Sequence, residues 1–352
     1  MTETLLYLVY GNAPTYQLEL GYSVLSAVAS MGSRRPNIVL MTDAAGRRPD
    51  LPVEHLIFSA TDLARWTDYG RHNHACKVHA YLVALRHFGD KVAMIDTDTW
   101  FLGDPMLLFD RVKPGRAVMH DEEGMLGNFA DWGSAICHSD EHRLDISPES
   151  VMFNSGVVAC EGSMLEGLEE APAYLDALLA AGAPFNAEQF AFSHILLREG
   201  EVVTCSNLLR HYWGFERRFI HARIAQLMPE RTEAAFQNAL AKFDTSVAGY
   251  PDLLLIARVR SKLKGQQRKQ QGGLYSFAYL CYLGAFMEAR FDFADAWAST
   301  ALDVITVGGF APELVKRDFV RLAPSRATKL LWLKADTRKR WSDYWSHSKE
   351  MS

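Results

Sequence analysis

Two carboxylates lie one residue apart directly after an apolar run. The run covers residues 92–95, and it is followed by Asp96, Thr97 and Asp98. In a strand, residues i and i+2 point to the same side, so both acids can converge on one hard cation, which can in turn bind a diphosphate. An isolated Asp-x-Asp pattern also occurs where acids cap a turn at a strand end. Other parts of the chain must decide between a cation site and a turn.

The residue that follows these acids argues against one class of enzyme. Phosphatases of the haloacid dehalogenase type carry Thr or Val two positions after the second acid, and here Trp100 takes that position. Their motif usually lies near the N-terminus, whereas several predicted elements precede it in this chain. The sequence therefore disfavours such a phosphatase.

A second group of polar residues lies much later in the chain. His211, Gly214 and Arg217 bring an imidazole, a flexible residue and a guanidinium together within seven positions. Imidazole is a borderline ligand and calcium prefers oxygen, so a carboxylate pair with one histidine favours Mn²⁺, with Mg²⁺ as the alternative. The other interpretation is that His211 packs in an aromatic cluster with Tyr212 and Trp213.

The elements that would position these residues alternate between two periodicities. Short β-rich runs and helical runs follow each other at 5–10, 16–31, 38–42, 55–58, 74–88 and 92–95. This alternation predicts an α/β domain with a Rossmann-like, mostly parallel sheet flanked by helices. Ligands of such sheets bind beyond the carboxyl ends of the strands, where Tyr10-Gly11-Asn12, Thr42-Asp43 and the two acids are expected.

The rest of the chain predicts a second domain. Residues 120–150 are polar and aperiodic, which predicts a long loop over the site. A strand at 151–159, broken by Asn154-Ser155-Gly156, precedes helices at 163–181 and 186–197. Beyond about residue 225 only helical periodicity remains, at 253–259, 275–287 and 294–305. We therefore expect a larger domain of residues 1–225 and a small helical C-terminal domain of residues 226–352.

The composition excludes several classes of protein. Of 352 residues, 49% are hydrophobic and 22% charged, which is typical of a globular protein and not of a disordered one. The net charge of -5 argues against a nucleic-acid partner. Five cysteines without a Cys-x-x-Cys pair favour a reducing cytoplasm over a disulfide framework. No signal-peptide pattern and no apolar stretch of the ~20 residues that a membrane span needs are found, so membrane contact would be peripheral.

The order of the polar motifs resembles a known family. In chain order the motifs are Tyr10-Gly11-Asn12, Lys77, Asp96-Thr97-Asp98, Asn154-Ser155-Gly156, Glu188-Gln189 and His211-x-x-Gly214-x-x-Arg217. This order is similar to that of family-8 glycosyltransferases and their relatives with the GT-A fold. The resemblance implies a GT-A catalytic domain at residues 1–225 and a nucleotide-sugar donor, UDP-linked.

The resemblance also implies roles for individual residues. The segment 10–12 would line the pocket of the nucleoside base, and Lys77 would face the donor from its helix. Asn154 and Ser155 would contact sugar hydroxyls, with Gly156 allowing close approach of the backbone. Ordinary turn, bulge and surface positions are the alternatives for these residues.

The acid and amide of Glu188-Gln189 would lie beside the transferred sugar. The sequence departs from the family at Phe190, where the family has a second acid, and after Gly214, where Lys-Pro-Trp becomes Arg217-Arg218-Phe219. The resemblance favours retention of the anomeric configuration, with Gln189 near the reacting centre. In an inverting enzyme Glu188 would be the general base.

The same resemblance gives a mechanism for the leaving group. A cation held by Asp96, Asp98 and His211, assisted by Lys77 and Arg217, would stabilise the negative charge that develops on the departing diphosphate. A glycan or lipid-linked acceptor, and a place in bacterial surface polysaccharide synthesis, are expected. The contrasting hypothesis is a non-catalytic module that binds sugar nucleotides or glycans on the same fold.

Two basic clusters occur in the C-terminal region. They comprise Arg258, Arg260, Lys262, Lys264, Arg268 and Lys269, and then Arg326, Lys329, Lys334, Arg338, Lys339 and Arg340 with Leu330, Leu331, Trp332, Trp341 and Trp345 among them. Basic residues mixed with Trp and Leu are typical of docking on an anionic membrane surface, which predicts a cytoplasmic protein peripheral to the inner face of the membrane. The alternative is a solvated helix face whose tryptophans pack on the catalytic domain.

Overall fold

The computed structural model describes residues 2–68, 70–244, 260–263, 272–287, 291–310, 312–319 and 333–350. The strands are β1 Glu3–Leu8, β2 Asn37–Thr42, β3 Glu54–Ile57, β4 Lys91–Ile95, β5 Thr99–Phe101, β6 Arg116–Met119, β7 Glu122–Met125, β8 Val151–Phe153, β9 Val157–Glu161, β10 Glu201–Thr204 and β11 Leu209–His211. The helices are α1 Pro14–Ser30, α2 Ala60–Trp66, α3 Cys76–Phe88, α4 Met106–Arg111, α5 Gly133–Cys137, α6 Leu165–Leu168, α7 Ala171–Ala180, α8 Ala187–Glu199, α9 Arg217–Leu227, α10 Glu233–Leu240, α11 Gly272–Met287, α12 Phe291–Gly308, α13 Pro312–Asp318 and α14 Ala335–Glu350.

Seven of the strands form one mixed sheet in the order β10-β6-β9-β4-β1-β2-β3. Six of them run parallel to one another, and β9 lies antiparallel between β4 and β6. The predicted α/β fold with a mostly parallel sheet and flanking helices is therefore confirmed. From β1 the chain continues to β2 on one side, while β4 lies on the other side of β1. Such a reversal of strand order is where open α/β sheets bind their ligands.

The central strands are mostly apolar because helices cover both faces of the sheet. Leu5, Leu6, Val39 and Leu40 are fully buried on β1 and β2. Side chains of α3 and α8 complete the core on one face, with Tyr81 against Phe192 in an edge-to-face contact. This packing fixes where the residues that follow β1 and β4 stand.

Several segments differ from their sequence-based expectation. The strand expected at 151–159 is two strands in different sheets, because β8 pairs with β7 whereas β9 pairs with β4 and β6. The segment 120–150, expected to be a loop, contains β7 and α5. The helix expected at 163–181 is divided into α6 and α7, and a proline stands in the first turn of α7. Among the elements that were not predicted, α2, α4, β5, β6, β10 and β11 are too short for periodicity to reveal.

The chain divides by its contacts into two units. The first consists of Met1–Tyr212 with Met228–Thr245, and the second of Trp213–Leu227 with Ser246–Ser352. The division therefore differs from the boundary expected at residue 225. Helix α9 joins the second unit because its Phe219 ring lies against Trp297, with centroids 4.4 Å apart, whereas α10 packs on α1 in the first. The loss of the strand pattern after about residue 225 could not reveal that α9 belongs to the second unit and α10 to the first.

The described part of the second unit is mostly helical, and Trp297, Trp341 and Trp345 face inward, whereas Trp213 is exposed. Trp341 is fully buried, and its indole Nε1 donates a hydrogen bond to the Ala298 carbonyl over 3.0 Å. Trp345 is buried beside it, with 7% of its surface exposed. These two rings are therefore not available to a membrane, and the part of the docking hypothesis that used them is wrong. Burial of large aromatic surface in the unit's own core outweighs the interfacial preference of tryptophan.

Other parts of the membrane hypothesis remain untested. Lys334 pairs with Asp292 at 3.0 Å, and Arg340 pairs with Asp303, so these two basic groups already have acidic partners. None of the described helices has the length and apolar character needed to span a bilayer. The helix expected at 253–259 lies outside the described residues, as do Arg258, Lys264, Arg268, Lys269, Arg326, Lys329, Leu330, Leu331 and Trp332.

Replacing Trp341 by Ala should destabilise the second unit by about 3–5 kcal/mol, because a large side chain and a buried hydrogen bond are both lost. Urea denaturation followed by circular dichroism measures the change. Ser342→Ala, one residue further on the exposed face, should shift the free energy of unfolding by no more than about 0.5 kcal/mol. Equal stability of the two variants would contradict the inward placement of Trp341.

Candidate metal centre

Three potential metal ligands converge beyond the carboxyl end of β4. One ligand atom each from Asp96, Asp98 and His211 lies within 4.8 Å of the other two. Strand β11 pairs antiparallel with β5 and sets His211 opposite Thr99, while the Tyr212 amide donates to the Asp98 carbonyl over 2.9 Å. In the part of the chain that the structure describes, no other group of three His, Cys, Asp or Glu side chains is so placed. The donor set fits a divalent cation such as Mn²⁺.

The hydrogen bonds of His211 define which of its nitrogens carries hydrogen. Its Nδ1 lies 3.0 Å from Asn154 Oδ1, and the same oxygen accepts the Gly156 amide over 2.9 Å. Since that oxygen can only accept, Nδ1 must donate. The other ring nitrogen, Nε2, lies 3.1 Å from Asp98 Oδ1. In the neutral ring, the lone pair of Nε2 would point toward the Asp98 carboxylate. A cation bound by both groups makes this arrangement favourable.

Gly156 is required by the position of the imidazole. A Cβ atom built on this residue would lie 2.5 Å from His211 Nδ1 and 2.9 Å from Asn154 Oδ1. Both distances are shorter than real Cβ contacts, so any larger residue would displace the ring. The resemblance attributed the close approach at Gly156 to the sugar, whereas here it serves His211.

Lys77 on α3 supplies a positive charge at the same edge of the sheet. Its Nζ lies 2.7 Å from Asp96 Oδ1 and 2.8 Å from Oδ2, and donates to Ser155 Oγ over 3.3 Å. Burial alone would lower the pKa of this ammonium group, but the carboxylates of Asp96, Glu188 and Asp98 raise it above its usual value. Lys77 is therefore charged, and it faces the acids from within the fold rather than from a solvated helix surface.

Glu188 and Gln189, in the first turn of α8, contact the segment between β8 and β9. The Ser155 amide donates to Gln189 Oε1 over 3.1 Å, and Ser155 Oγ lies 3.4 Å from Glu188 Oε1. Glu188 is 4% exposed, and burial raises the pKa of its carboxyl group although Lys77 opposes this. Its Oε2 atom has no hydrogen-bond partner within the described structure. An acid in this state is suited to proton transfer.

Glu123 on β7 belongs to the same network and was not predicted. Its Oε1 accepts Asn154 Nδ2 and its Oε2 accepts Gln189 Nε2, each over 2.7 Å. Glu123 lies in the segment that was expected to be a loop. Several acids occur there, and no sequence pattern distinguishes this one from the others. Only the pairing of β7 with β8 brings Glu123 to Asn154, because Glu122 pairs with Phe153 and Glu123 lies in the register shift that follows.

A polar stripe on α1 supports the acids from the opposite side. Glu19, Ser23 and Ser26 are fully buried on an otherwise apolar helix. Thr97 Oγ1 donates to the Glu19 carboxylate over 3.3 Å, so the Thr97 side chain faces α1. Ser23 Oγ lies 3.0 Å from Thr99 Oγ1. Their spacing at i, i+4 and i+7 was a signal that sequence reasoning missed.

The segment expected to hold a nucleoside base follows β1, beside β4. Gly11 has a φ of +68°, and its amide donates to Asp43 Oδ1 over 3.0 Å at the end of β2. Asn12 Oδ1 accepts a hydrogen bond of 2.9 Å from Arg231. Tyr10 is half-buried, and burial together with Cys76 raises its pKa to about 12. The two strand ends and their loops thus form one polar edge.

Two predicted residues belong to the second unit. Gly214 precedes α9, and Arg217 is the first residue of that helix. Their contribution to the site stays a prediction.

A pocket opens on the other side of Glu188. Its walls are formed by Leu175 and Leu179 of α7, and its rim by His74 and Phe185. Phe185 is 76% exposed, and its ring lies 5.9 Å from that of His74. The pocket therefore combines an acid, an imidazole and an exposed aromatic ring.

Solved structures show a likeness to this chain. No protein-family model and no curated protein matches this sequence. Among the solved structures that are similar to the chain is the apo form of mouse xyloside xylosyltransferase 1. It is 14% identical, with a TM-score of 0.41, over 58% of this chain and 85% of that chain.

His120 lies next to His211, and its pKa is lowered. Its ring meets His211 edge-on with centroids 5.4 Å apart. Burial, and then the proximity of His211, lower the pKa of His120 to about 4. Its Nε2 is buried without a hydrogen-bond partner among the described residues. The ring is therefore neutral near pH 7.

Gly156→Ala should destabilise the protein by about 1–3 kcal/mol, because the added methyl group displaces His211. Gly133→Ala is the matched control, since its Cβ meets nothing within 4 Å and its φ is -57°. That change should stabilise α5 slightly, as alanine restricts the unfolded chain. Denaturant unfolding distinguishes the opposite signs, and equal effects would contradict the close approach.

His120→Gln should reduce the sensitivity of the protein to acid. The folded pKa of His120 is about 4, below the usual histidine value of 6.5, so the unfolded chain binds a proton first as the pH falls. Stability from this residue is present above pH 6.5 and is lost toward pH 4, by on the order of 3 kcal/mol. Unfolding free energies at pH 7.5 and 4, in EDTA, test this. A variant that loses as much as the wild type would contradict it.

Proposed function

We propose that this chain is a metal-dependent glycosyltransferase that moves a sugar from a nucleoside diphosphate donor, UDP-linked, to a glycan or lipid-linked acceptor. The observation that carries the proposal is the convergence of Asp96, Asp98 and His211 beyond β4, beside the charged Lys77. These residues come from separate parts of the chain, and a turn-capping role for the acids would not require the imidazole or the lysine. The order of motifs in the sequence supports the same assignment.

The chemistry of the leaving group follows from the charges at this edge. A divalent cation, Mn²⁺ or Mg²⁺, would supply positive charge to the diphosphate oxygens. Asp96, Asp98 and His211 would hold it, and Lys77 would add a second positive charge as the diphosphate departs. We assign Arg217 a supporting role in binding the diphosphate. The segment 10–12 would bind the nucleoside at the neighbouring strand end.

The sugar would lie beside the segment that joins β8 to β9. Asn154, Ser155 and Gln189 present amide and hydroxyl groups there, which suits recognition of sugar hydroxyls. We propose retention of the anomeric configuration, with Gln189 beside the reacting carbon. In an inverting reaction Glu188 would take the acceptor proton, a role that its buried carboxyl and raised pKa suit.

The pocket beyond Glu188 is a candidate acceptor site. An exposed aromatic ring such as Phe185 gives an apolar platform for one face of a sugar, and the acid and His74 offer hydrogen bonds. We retain the hypothesis of a cytoplasmic protein acting at the inner membrane face in surface polysaccharide synthesis. For membrane contact it now depends on basic side chains such as Arg338 and Lys339, not on Trp341.

The proposal is tested by turnover with a panel of nucleotide sugars. The protein should release nucleoside diphosphate in the presence of Mn²⁺ and lose this activity in EDTA. Asp98→Asn should lower kcat/KM by about 10²–10³-fold, because a charged metal ligand becomes neutral. Asp131→Asn, an exposed acid outside the site, should leave the rate unchanged.

The possible results separate the hypotheses. If the protein binds the donor but shows no turnover with any acceptor, the enzyme hypothesis is wrong and the non-catalytic module is favoured. Turnover that survives EDTA and Asp98→Asn would show that the acids do not hold a catalytic ion. NMR of the product's anomeric proton distinguishes retention from inversion.

A further inference from the structure

Glu123 connects the two halves of the site through a single carboxylate. One of its oxygens accepts Asn154 Nδ2 and the other accepts Gln189 Nε2, both over 2.7 Å. Asn154 contacts the metal ligand His211, and Gln189 holds the backbone amide of Ser155. Asn154 and Gln189 are buried, with 7% and 7% of their surfaces exposed, and Glu123 is partly buried. Two amide groups thus share one acceptor at the edge of the core.

We propose that Glu123 is a positioning residue that fixes the amide of Asn154, and through it the tautomer of His211 that binds the cation. The proposal rests on the metal dependence proposed above. It assigns Glu123 no contact with the cation, the donor or the reacting atoms.

A chain of hydrogen bonds leads from the Glu123 carboxylate through Asn154 to His211. An ionised carboxylate only accepts, so Asn154 must turn its NH₂ group toward Glu123 and its Oδ1 away. Oδ1 then receives the Gly156 amide at 2.9 Å and the His211 Nδ1–H at 3.0 Å. A hydrogen on Nδ1 leaves the lone pair of neutral imidazole on Nε2, the nitrogen 3.1 Å from Asp98. A flipped Asn154 would place two donors together at Gly156 and would favour the wrong tautomer.

The second oxygen of Glu123 extends the same constraint to Gln189. The Gln189 NH₂ group points to the carboxylate, so Oε1 faces the Ser155 amide at 3.1 Å. One acid therefore favours in both amides the orientation that the Gly156 and Ser155 amides favour at their oxygens. Glu123 therefore fixes Asn154, on the cation side of the site, relative to Gln189, on the sugar side. Partners of this kind typically affect metal affinity by about 10–100-fold.

Glu123→Gln tests the role with almost no change in shape. The new side chain has one acceptor and one donor, so it cannot accept from both amides, and Asn154 or Gln189 must turn. Mn²⁺ affinity, measured by isothermal titration calorimetry without nucleotide, should fall by about 10-fold or more. Glu122→Gln is the matched control, because it removes the same charge from the adjacent, exposed residue of β7. Glu123→Asp keeps both acceptor oxygens and should retain part of the affinity.

A double-mutant cycle separates action through Asn154 from a general loss of structure. Asn154→Ala should weaken Mn²⁺ binding, and adding Glu123→Gln to it should cause no further loss. Long-range ¹H–¹⁵N NMR of labelled histidines provides a second readout. His211 should show the Nδ1–H tautomer in the wild type and in Glu122→Gln, and a mixture of tautomers in Glu123→Gln.

Two results would overturn the inference: the same Mn²⁺ affinity in Glu123→Gln and Glu122→Gln, or losses that add fully in the double variant. If the wild type binds Mn²⁺ but transfers no sugar, the proposed function fails while the role of Glu123 stands. If the wild type binds the ion and turns over and Glu123→Gln does the same, only the inference fails. A wild type that binds no divalent cation would overturn both.

Discussion

The short antiparallel pairing of β5 with β11 is the contact on which the site depends. It joins Asp98 to His211, which are 113 residues apart in sequence, and its register decides which side chain meets the acids. A slip of one residue would turn the imidazole to the other face of the strand. Gly156 then makes room for the ring, and Asn154 fixes the hydrogen on Nδ1. The parallel sheet provides the edge, but this pairing completes the cluster.

A buried polar site is stable only if its groups are paired with one another. Charges and amides removed from water cost several kcal/mol when they lack partners. The structure meets this condition from three directions: the α1 stripe below Thr97, Lys77 beside Asp96, and Glu123 between the two amides. Each direction comes from a different element. A polar network of this kind is rigid because any one change leaves another group unsatisfied.

The sequence predicted the parts of this arrangement that depend on local pattern. The strand ends at Asn12 and Asp96 follow from apolar runs. The convergence of Asp96 with Asp98 was predicted from the period of a strand, but both acids lie in the turn between β4 and β5. Glu123 could not be predicted, because its position depends on a register shift in the pairing of β7 with β8, a strand of only three residues. The inward packing of Trp341 was also beyond reach, since a basic, aromatic helix has the same pattern whether its rings face a core or a membrane. The exchange of α9 and α10 between the two units depends on contacts, not on composition.

The antiparallel direction of β9 has a consequence for the shape of the site. In an all-parallel sheet only chain segments leaving a strand reach the ligand edge, and segments entering a strand lie at the far edge. Because β9 runs against β4, Val157 at its beginning is paired with Ile95 at the end of β4, and the Gly156 carbonyl accepts the Asp96 amide over 2.9 Å. At this edge, the segment that enters β9 therefore lies between the segments that leave β4 and β6. One reversed strand gives the acids a backbone neighbour that a parallel strand would have carried to the opposite end of the sheet.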